Sequence, residues 1–155
     1  MTSFPITNPP VRLLAAFQQA FPDQSPQWIL RVPGRDVWIA AVESTSAYFT
    51  VASPDHSSRT SFNLRGAKNK RTILPRPLPR WAYYPAGVIL FLCNSGMDST
   101  GLNMVVMSEE PAGPGYDYGL GMAFAALWYE IHAQPYSTDT LIEVVDRVRR
   151  DYVET

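Results

Sequence analysis

The chain has little cysteine and no long apolar run, and each shortage excludes a class of protein. Its one cysteine, Cys93, excludes an internal disulfide and lies in the apolar run 88–93, so we expect it to be buried. No apolar run reaches the roughly 18 residues of a membrane helix, and we expect no membrane partner. Met1 to Pro5 lack a basic stretch followed by an apolar core, so the expected location is the cytoplasm.

Charge is also scarce, at 17% of residues with a formal net charge of -1. This balance offers no global attraction to nucleic acid, which we therefore do not expect as a partner. One stretch departs from it: residues 65–80, the basic segment, are predicted to be irregular and contain no acidic residue. A solvated loop is the favoured interpretation, and a phosphate or nucleic-acid contact is the alternative. Its cations are Arg65, Lys68, Lys70, Arg71, Arg76 and Arg80.

The 155 residues fit a single domain, spanning 1–155. Apolar residues at helical spacing predict helices over residues 9–21, 81–93, 122–132 and from 137 onward. Short β-rich runs predict strands at residues 28–32, 37–42, 48–52, 61–64 and 102–107. Turn residues between the first four strands indicate antiparallel hairpins. The order of elements predicts an α+β fold with a mostly antiparallel sheet and helices on one face.

A glycine-rich stretch, residues 111–121, lies between the last predicted strand and the apolar helix 122–132. Glycines let a backbone approach phosphate closely, and a helix N-terminus offers free N–H groups, so this arrangement can cradle an anion. Tight-turn glycines are the alternative reading. The spacing matches neither the P-loop nor the dinucleotide fingerprint.

The stretch does resemble the phosphate loop of the GHMP kinases, which reads Pro-x-Gly-x-Gly-Leu-Ser-Ser-Ser-Ala-Ala. Residues 31–39 resemble the Ala-Pro-Gly-Arg-Val-Asn-Leu-Ile signature of galactokinases, and residues 81–89 their Trp-x-Asn-Tyr-Pro-x-Gly-Val helix. Residues 137–153 resemble the helix that follows the loop. All four stretches come in the family's order. The loop itself reads Pro111-Ala112-Gly113-Pro114-Gly115-Tyr116-Asp117-Tyr118-Gly119-Leu120-Gly121.

This resemblance implies a ribosomal-protein-S5-like, two-layer domain corresponding to the N-terminal domain of these kinases. Active relatives transfer the γ-phosphate of ATP to a sugar hydroxyl with Mg²⁺. Arg35 matches the catalytic arginine that stabilises the transferring phosphoryl group. Glu43 is the candidate substrate contact. The candidate nucleotide-binding residues are Gly113, Gly115, Asp117, Tyr118 and Gly119.

The chain departs from the family where chemistry is done. Asp117, Tyr118 and Gly119 replace the three loop serines, and the Asp117 carboxylate would repel polyphosphate or cap the helix itself. The sugar-binding motif Gly-Glu-His-x-Asp-Tyr is missing apart from Glu43. The family's metal-binding glutamate falls on Arg149, so we assign no metal ligand. The stretch carrying the family's aspartate base has no counterpart here.

These departures predict a galactokinase-like protein that is impaired in catalysis and acts as a small-molecule or partner-binding module. The alternative is the N-terminal part of a divergent ATP-dependent sugar kinase that a second half completes. ATP and Mg²⁺ are expected as cofactors only if nucleotide binding is retained. We also expect a homodimer or a protein partner to cover the surface left by the family's C-terminal domain. Whether a nucleotide or a sugar binds stays open.

Overall fold

The computed structural model describes residues 9–155, which form five strands and five α-helices. The strands are β1 Trp28–Arg31, β2 Val37–Glu43, β3 Phe49–Ser53, β4 Ser58–Phe62 and β5 Leu102–Ser108. The helices are α1 Val11–Ala20, α2 Leu64–Lys68, α3 Tyr83–Asn94, α4 Pro114–Ile131 and α5 Thr138–Val148. Short helical turns occupy Pro54–His56, Arg80–Ala82 and Arg149–Val153. The mixed α+β fold is therefore as predicted.

All five strands belong to one sheet, in the order β1-β2-β5-β3-β4. The hairpins β1–β2 and β3–β4 are antiparallel, as is the β2–β5 pair, and only β3 and β5 run parallel. β5 is the middle strand and joins the two hairpins, with Val37 opposite Ser108 and Thr50 beside Asn103. The mostly antiparallel sheet is confirmed.

Helices cover both faces of the sheet unequally. Side chains alternate along β2, so Ile39 and Ala41 join a large core with α3, α4 and α5. Ala40 and Val42 point the other way and pack with Leu13, Phe17 and Phe21 in a second core under α1. The three long helices lie on one face as expected, but α1 lies on the opposite face. Its apolar stripe requires a surface of its own, and the alternating strands supply one.

The basic segment is more ordered than the sequence predicts. The fourth strand ends at Phe62, because Asn63 caps α2 by accepting a hydrogen bond from the Gly66 N–H at 2.7 Å. After α2 the chain forms a short hairpin, in which Arg71 and Pro77 are bridge partners. The segment thus contains a helix and a hairpin where irregular chain was expected.

Most of the glycine-rich stretch is helical. Helix α4 begins at Pro114, whose fixed φ suits a first helical position, after Gly113 turns the chain at φ 141°. Within α4, glycine allows close packing: a Cβ on Gly119 would lie 3.1 Å from Val37 and 3.2 Å from Arg35. Residues 114–121 were expected as loop, but their glycines serve helix contacts.

Cys93 is buried, as expected, and burial raises the pKa of its thiol. Within residues 9–155 there is no helix with the length and apolar character required to cross a membrane.

Candidate functional site

The Arg35 side chain is held by a carboxylate that follows β5. Its Nε donates to Glu110 Oε2 at 3.0 Å and its Nη2 to Glu110 Oε1 at 2.5 Å. Nη2 also donates to the Gly115 carbonyl at 2.8 Å, and Nη1 lies 3.4 Å from Met122 Sδ. Four of the five N–H donors of the guanidinium are therefore engaged inside the protein.

Glu110 is held as firmly as the arginine. It accepts a further hydrogen bond from the Asp36 backbone N–H at 3.3 Å, and its own N–H donates to Ser108 Oγ at 3.0 Å. The side chains of Arg35 and Glu110 are only 24% and 20% exposed. The hydrogen bonds from Arg35 lower the pKa of the Glu110 carboxyl, and those to Glu110 raise the pKa of Arg35. The two side chains form a bidentate, partly desolvated pair.

The start of α4 offers an anion few free donors. Pro114 has no N–H, and the Asp117 N–H bonds the Gly113 carbonyl at 3.2 Å, which leaves the N–H groups of Gly115 and Tyr116. The Asp117 side chain makes no hydrogen bond to residues 9–155, so the expected self-capping is not formed. Burial raises the pKa of its carboxyl, while His56 and Arg80 lower it.

Two tyrosines of the predicted phosphate loop are turned into the protein. Tyr116 OH donates to Asp55 Oδ2 at 2.5 Å, and Asp55 Oδ2 also accepts from the Ser108 N–H at 2.9 Å. Tyr118 OH donates to Asp146 Oδ1 at 2.9 Å, on α5. Burial and this carboxylate raise the pKa of Tyr118 to about 12. Both phenols thus fix α4 to its neighbours.

Beside Asp117 an aromatic cleft of about 400 Å³ opens between the chain before α3 and the start of α4. The His56 and Trp81 rings are stacked, 5.4 Å apart and inclined by 14°. Trp81 Nε1 is buried and has no hydrogen-bond partner within the described chain. The cleft is lined by His56, Arg80, Trp81, Tyr83, Tyr84, Asp117 and Val153. Most of its walls are aromatic, so the cleft presents flat apolar surfaces together with the charges of Arg80 and Asp117.

The structure brings only some of the predicted site residues together. Arg35 meets Gly115 and Gly119, and Asp117 faces the cleft. Gly113 is exposed where α4 begins. Glu43 lies at the other end of β2, where its side chain accepts from Gln27 Nε2 at 3.3 Å, so it does not join Arg35.

Arg149, on which the family's metal-binding glutamate falls, begins the last helical turn and pairs with two carboxylates, one on α5 and one directly after that turn. It lies 3.9 Å from Asp146 and 3.2 Å from Glu154. No group of three or more histidine, cysteine or acidic side chains within residues 9–155 is placed to hold a metal ion.

Sequence reasoning missed the aromatic cleft. His56 comes from the turn between β3 and β4, and Trp81 and Tyr84 from the start of α3, so no local spacing joins them. The resemblance of residues 81–89 to a galactokinase helix is the signal that could have indicated the cleft, because that stretch contains Trp81 and Tyr84.

No family model matches the chain, and neither does any curated protein. Solved structures do match. The fold is that of the N-terminal domain of the GHMP kinases, as the sequence resemblance implied.

Galactokinase from Lactococcus lactis, complexed with galactose, matches with a TM-score of 0.70 and 16% identity over 94% of this chain and 43% of its own. Mevalonate kinase from Methanococcus jannaschii matches with a TM-score of 0.59 and 12% identity over 74% of this chain and 36% of its own. A further mevalonate kinase gives a TM-score of 0.57 with 14% identity. At such identities the likeness establishes the fold alone. The chain spans less than half the length of these kinases.

Proposed function

We propose that this chain is a galactokinase-like domain that does not transfer phosphate and instead binds a small molecule with a planar ring in the aromatic cleft. The observation that carries the proposal concerns Arg35, the one catalytic residue that the resemblance supplies. Four of its five N–H donors are engaged, two by Glu110, one by the Gly115 carbonyl and one by Met122 Sδ. An arginine so engaged has little left to offer a transferring phosphoryl group.

The charges around α4 support the same conclusion. Glu109, Glu110 and Asp117 lie at or near its start, where a kinase would hold the phosphates of ATP. The cation nearest to Glu109 is Arg12, which is itself bound to that carboxylate at 2.8 Å and lies 3.7 Å from Asp55. A polyphosphate placed beside Glu109 and Glu110 would meet carboxylates whose neighbouring arginines are already bound, so repulsion would oppose it.

The cleft supplies what a ring-shaped ligand needs. The stacked His56 and Trp81 offer aromatic faces, and Asp117 offers a half-buried carboxylate that can accept hydrogen bonds from ring amino groups. A purine nucleoside combines such a ring with such an amino group, so adenosine is the probe of choice.

Calorimetric titration with adenosine and with ATP–Mg²⁺ tests the proposal. We expect ATP to bind less than tenfold more tightly than adenosine, because Arg35 and Arg12 at the start of α4 are already bound by Glu110 and Glu109. Trp81→Ala should weaken adenosine binding by about 1–3 kcal/mol, the usual loss of one base–aromatic stack. Trp38→Ala is the matched control, since Trp38 packs on the opposite face of the sheet. Asp117→Asn, which breaks no hydrogen bond within residues 9–155, gives a second variant in case Trp81→Ala does not fold.

The second candidate is the N-terminal part of a divergent ATP-dependent sugar kinase. It is favoured by the position of Arg35 at the start of α4 and by the match to 43% of a galactokinase. ATP bound at least tenfold more tightly than adenosine, with transfer to galactose at a rate of about one per second or more, would establish this candidate and exclude the first.

A partner over the surface left by the C-terminal domain, with a homodimer as its simplest form, is part of this proposal. Exposed large apolar side chains are present on α1, on α5, before β3 and in the hairpin of the basic segment, as Val11, Leu14, Tyr48, Leu74 and Ile142. Sedimentation equilibrium at micromolar concentration measures the oligomeric state, and a monomer would exclude the homodimer. The cytoplasmic location stays a prediction.

A further inference from the structure

The cations of the basic segment differ from most others in the molecule, because they have no acidic partners. None of the six has a carboxylate oxygen within 4.0 Å among residues 9–155, whereas five of the other seven do. The paired five are Arg12, Arg31, Arg35, Arg147 and Arg149. Unpaired charges of one sign attract counter-ions, so this segment can contact an anionic ligand.

The backbone holds this cluster in a fixed form. The Arg71 N–H bonds the Gly66 carbonyl at 2.8 Å, and the Leu78 N–H bonds the Lys70 carbonyl at 2.9 Å, which ties the hairpin to α2 and closes it. Tyr152 OH donates to the Ala67 carbonyl at 2.5 Å and so anchors α2 to the C-terminal turn. A solvated loop, the interpretation that the sequence favoured, would need none of these bonds.

The basic segment is continuous with the aromatic cleft. Lys70 Nζ and Arg80 Cζ each lie 5.0 Å from the centre of the Tyr83 ring, and Tyr83 and Arg80 both line the cleft. Cations beside stacked aromatic rings are what proteins use to bind unpaired nucleotides, with phosphates on the cations and bases on the rings.

We infer that the basic segment binds the phosphates of a single-stranded nucleic acid, one base of which occupies the aromatic cleft. The inference rests on the proposed function, since the cleft holds a planar ring in both. The phosphates would lie along the basic segment, whose cations have no carboxylate partner among residues 9–155, and away from Glu109 and Glu110 at the start of α4. The net charge of -1 does not oppose it, because screening limits each charge to about 10 Å at ordinary salt.

A duplex fits less well, because its bases are stacked on one another and offer no free ring to the cleft. An acidic protein would use the cations but leave the cleft empty. Single-stranded RNA and single-stranded DNA share the required chemistry, and separate arms of one experiment distinguish them.

Fluorescence anisotropy with labelled 12-nucleotide oligoadenylates of RNA and DNA, and with a 12-base-pair duplex, provides the test. We expect a single strand to bind at least tenfold more tightly than the duplex. The logarithm of affinity should fall against the logarithm of salt with a slope of about -3, for roughly four phosphate contacts. Absence of binding at 50 mM salt, or equal binding of duplex and single strand, overturns the inference.

The double variant Arg71→Ala with Arg76→Ala tests whether the phosphates bind along the basic segment. The pair should reduce the salt slope by about one unit or slightly more and leave adenosine binding unchanged, since neither residue lines the cleft. Arg31→Ala combined with Arg147→Ala is the matched control, because both arginines are exposed but ion-paired. If both double variants lower the slope equally, the basic segment is not the binding surface.

The two proposals fail separately. Adenosine binding without oligonucleotide binding leaves the proposed function standing and overturns this inference. Oligonucleotide binding that is lost in the Arg71/Arg76 variant, with no adenosine binding, supports the basic segment and overturns the cleft as a ring site.

Discussion

The start of α4 and the basic segment both contain several charged residues, but their cations differ in whether they form ion pairs. Around α4, Arg35 is bound by Glu110 and Arg12 by Glu109, so the cations satisfy carboxylates of the same chain. In the basic segment the six cations have no carboxylate within reach among residues 9–155. Similar residues thus build internal structure in one region and an open surface in the other.

Removing Glu110 should cause the largest change. In Glu110→Ala, Arg35 stays about three-quarters buried without its partner, and we expect a loss of about 2–3 kcal/mol in the free energy of unfolding. Urea denaturation measures it. Glu109→Ala is the matched control: the Glu109 side chain is 53% exposed, and its ion pair with Arg12 should contribute no more than about 1 kcal/mol. Equal losses in the two variants would contradict the distinction between them.

Neutralising Glu110 without shortening its side chain should change the preference between ATP and adenosine. In Glu110→Gln a negative charge is lost and the guanidinium is held less firmly, so ATP should gain about tenfold in affinity relative to adenosine. Calorimetry on the variant and the parent protein gives this ratio. An unchanged ratio would mean that Arg35 does not restrain phosphate binding.

Acid should abolish the difference between the parent protein and Glu110→Gln. The folded-state pKa of Glu110 lies below its ordinary value of 4.5, so its stabilising effect is complete above that value and is lost as the pH falls through the lowered pKa. We therefore expect unequal urea midpoints at pH 7 and a difference that shrinks as the pH falls below 4.5. A difference that does not change with pH would show that the variant acts through something other than this charge.

The smallest effect on stability should come from the basic segment. Arg71→Ala combined with Arg76→Ala removes exposed cations without ion pairs, and we expect a change within about 0.5 kcal/mol. Thermal unfolding at low and moderate salt measures it. A large loss would assign these arginines to the folded structure and remove the contrast with α4.

The scaffold could be predicted because its signals are local. Alternation along β2 and helical spacing in α5 mark buried faces, and Leu141, Val145 and Val148 on α5 are buried. The sequence did not predict where α4 begins, because its glycines are typical of loops but also allow close packing between helices. Asn63, the cap of α2, was a readable signal that was overlooked.

The site was less predictable than the fold because its contacts join distant parts of the chain. Arg35 and Glu110 are 75 residues apart, and the resemblance gave the arginine a role without giving it a partner. His56 reaches Trp81 only because the β3–β4 turn lies beside the start of α3. Pairing of this kind depends on the completed sheet and has no local signature.

The sheet order has a consequence for how the chain acquires its structure. Strand β5, the link between the hairpins β1–β2 and β3–β4, is the last of the five to be synthesised. Until then each hairpin lacks the neighbour that would make it stable, since isolated two-stranded hairpins are marginal in water. Residues 102–108 are therefore required for the stable pairing of both hairpins, because they pair with β2 on one side and with β3 on the other.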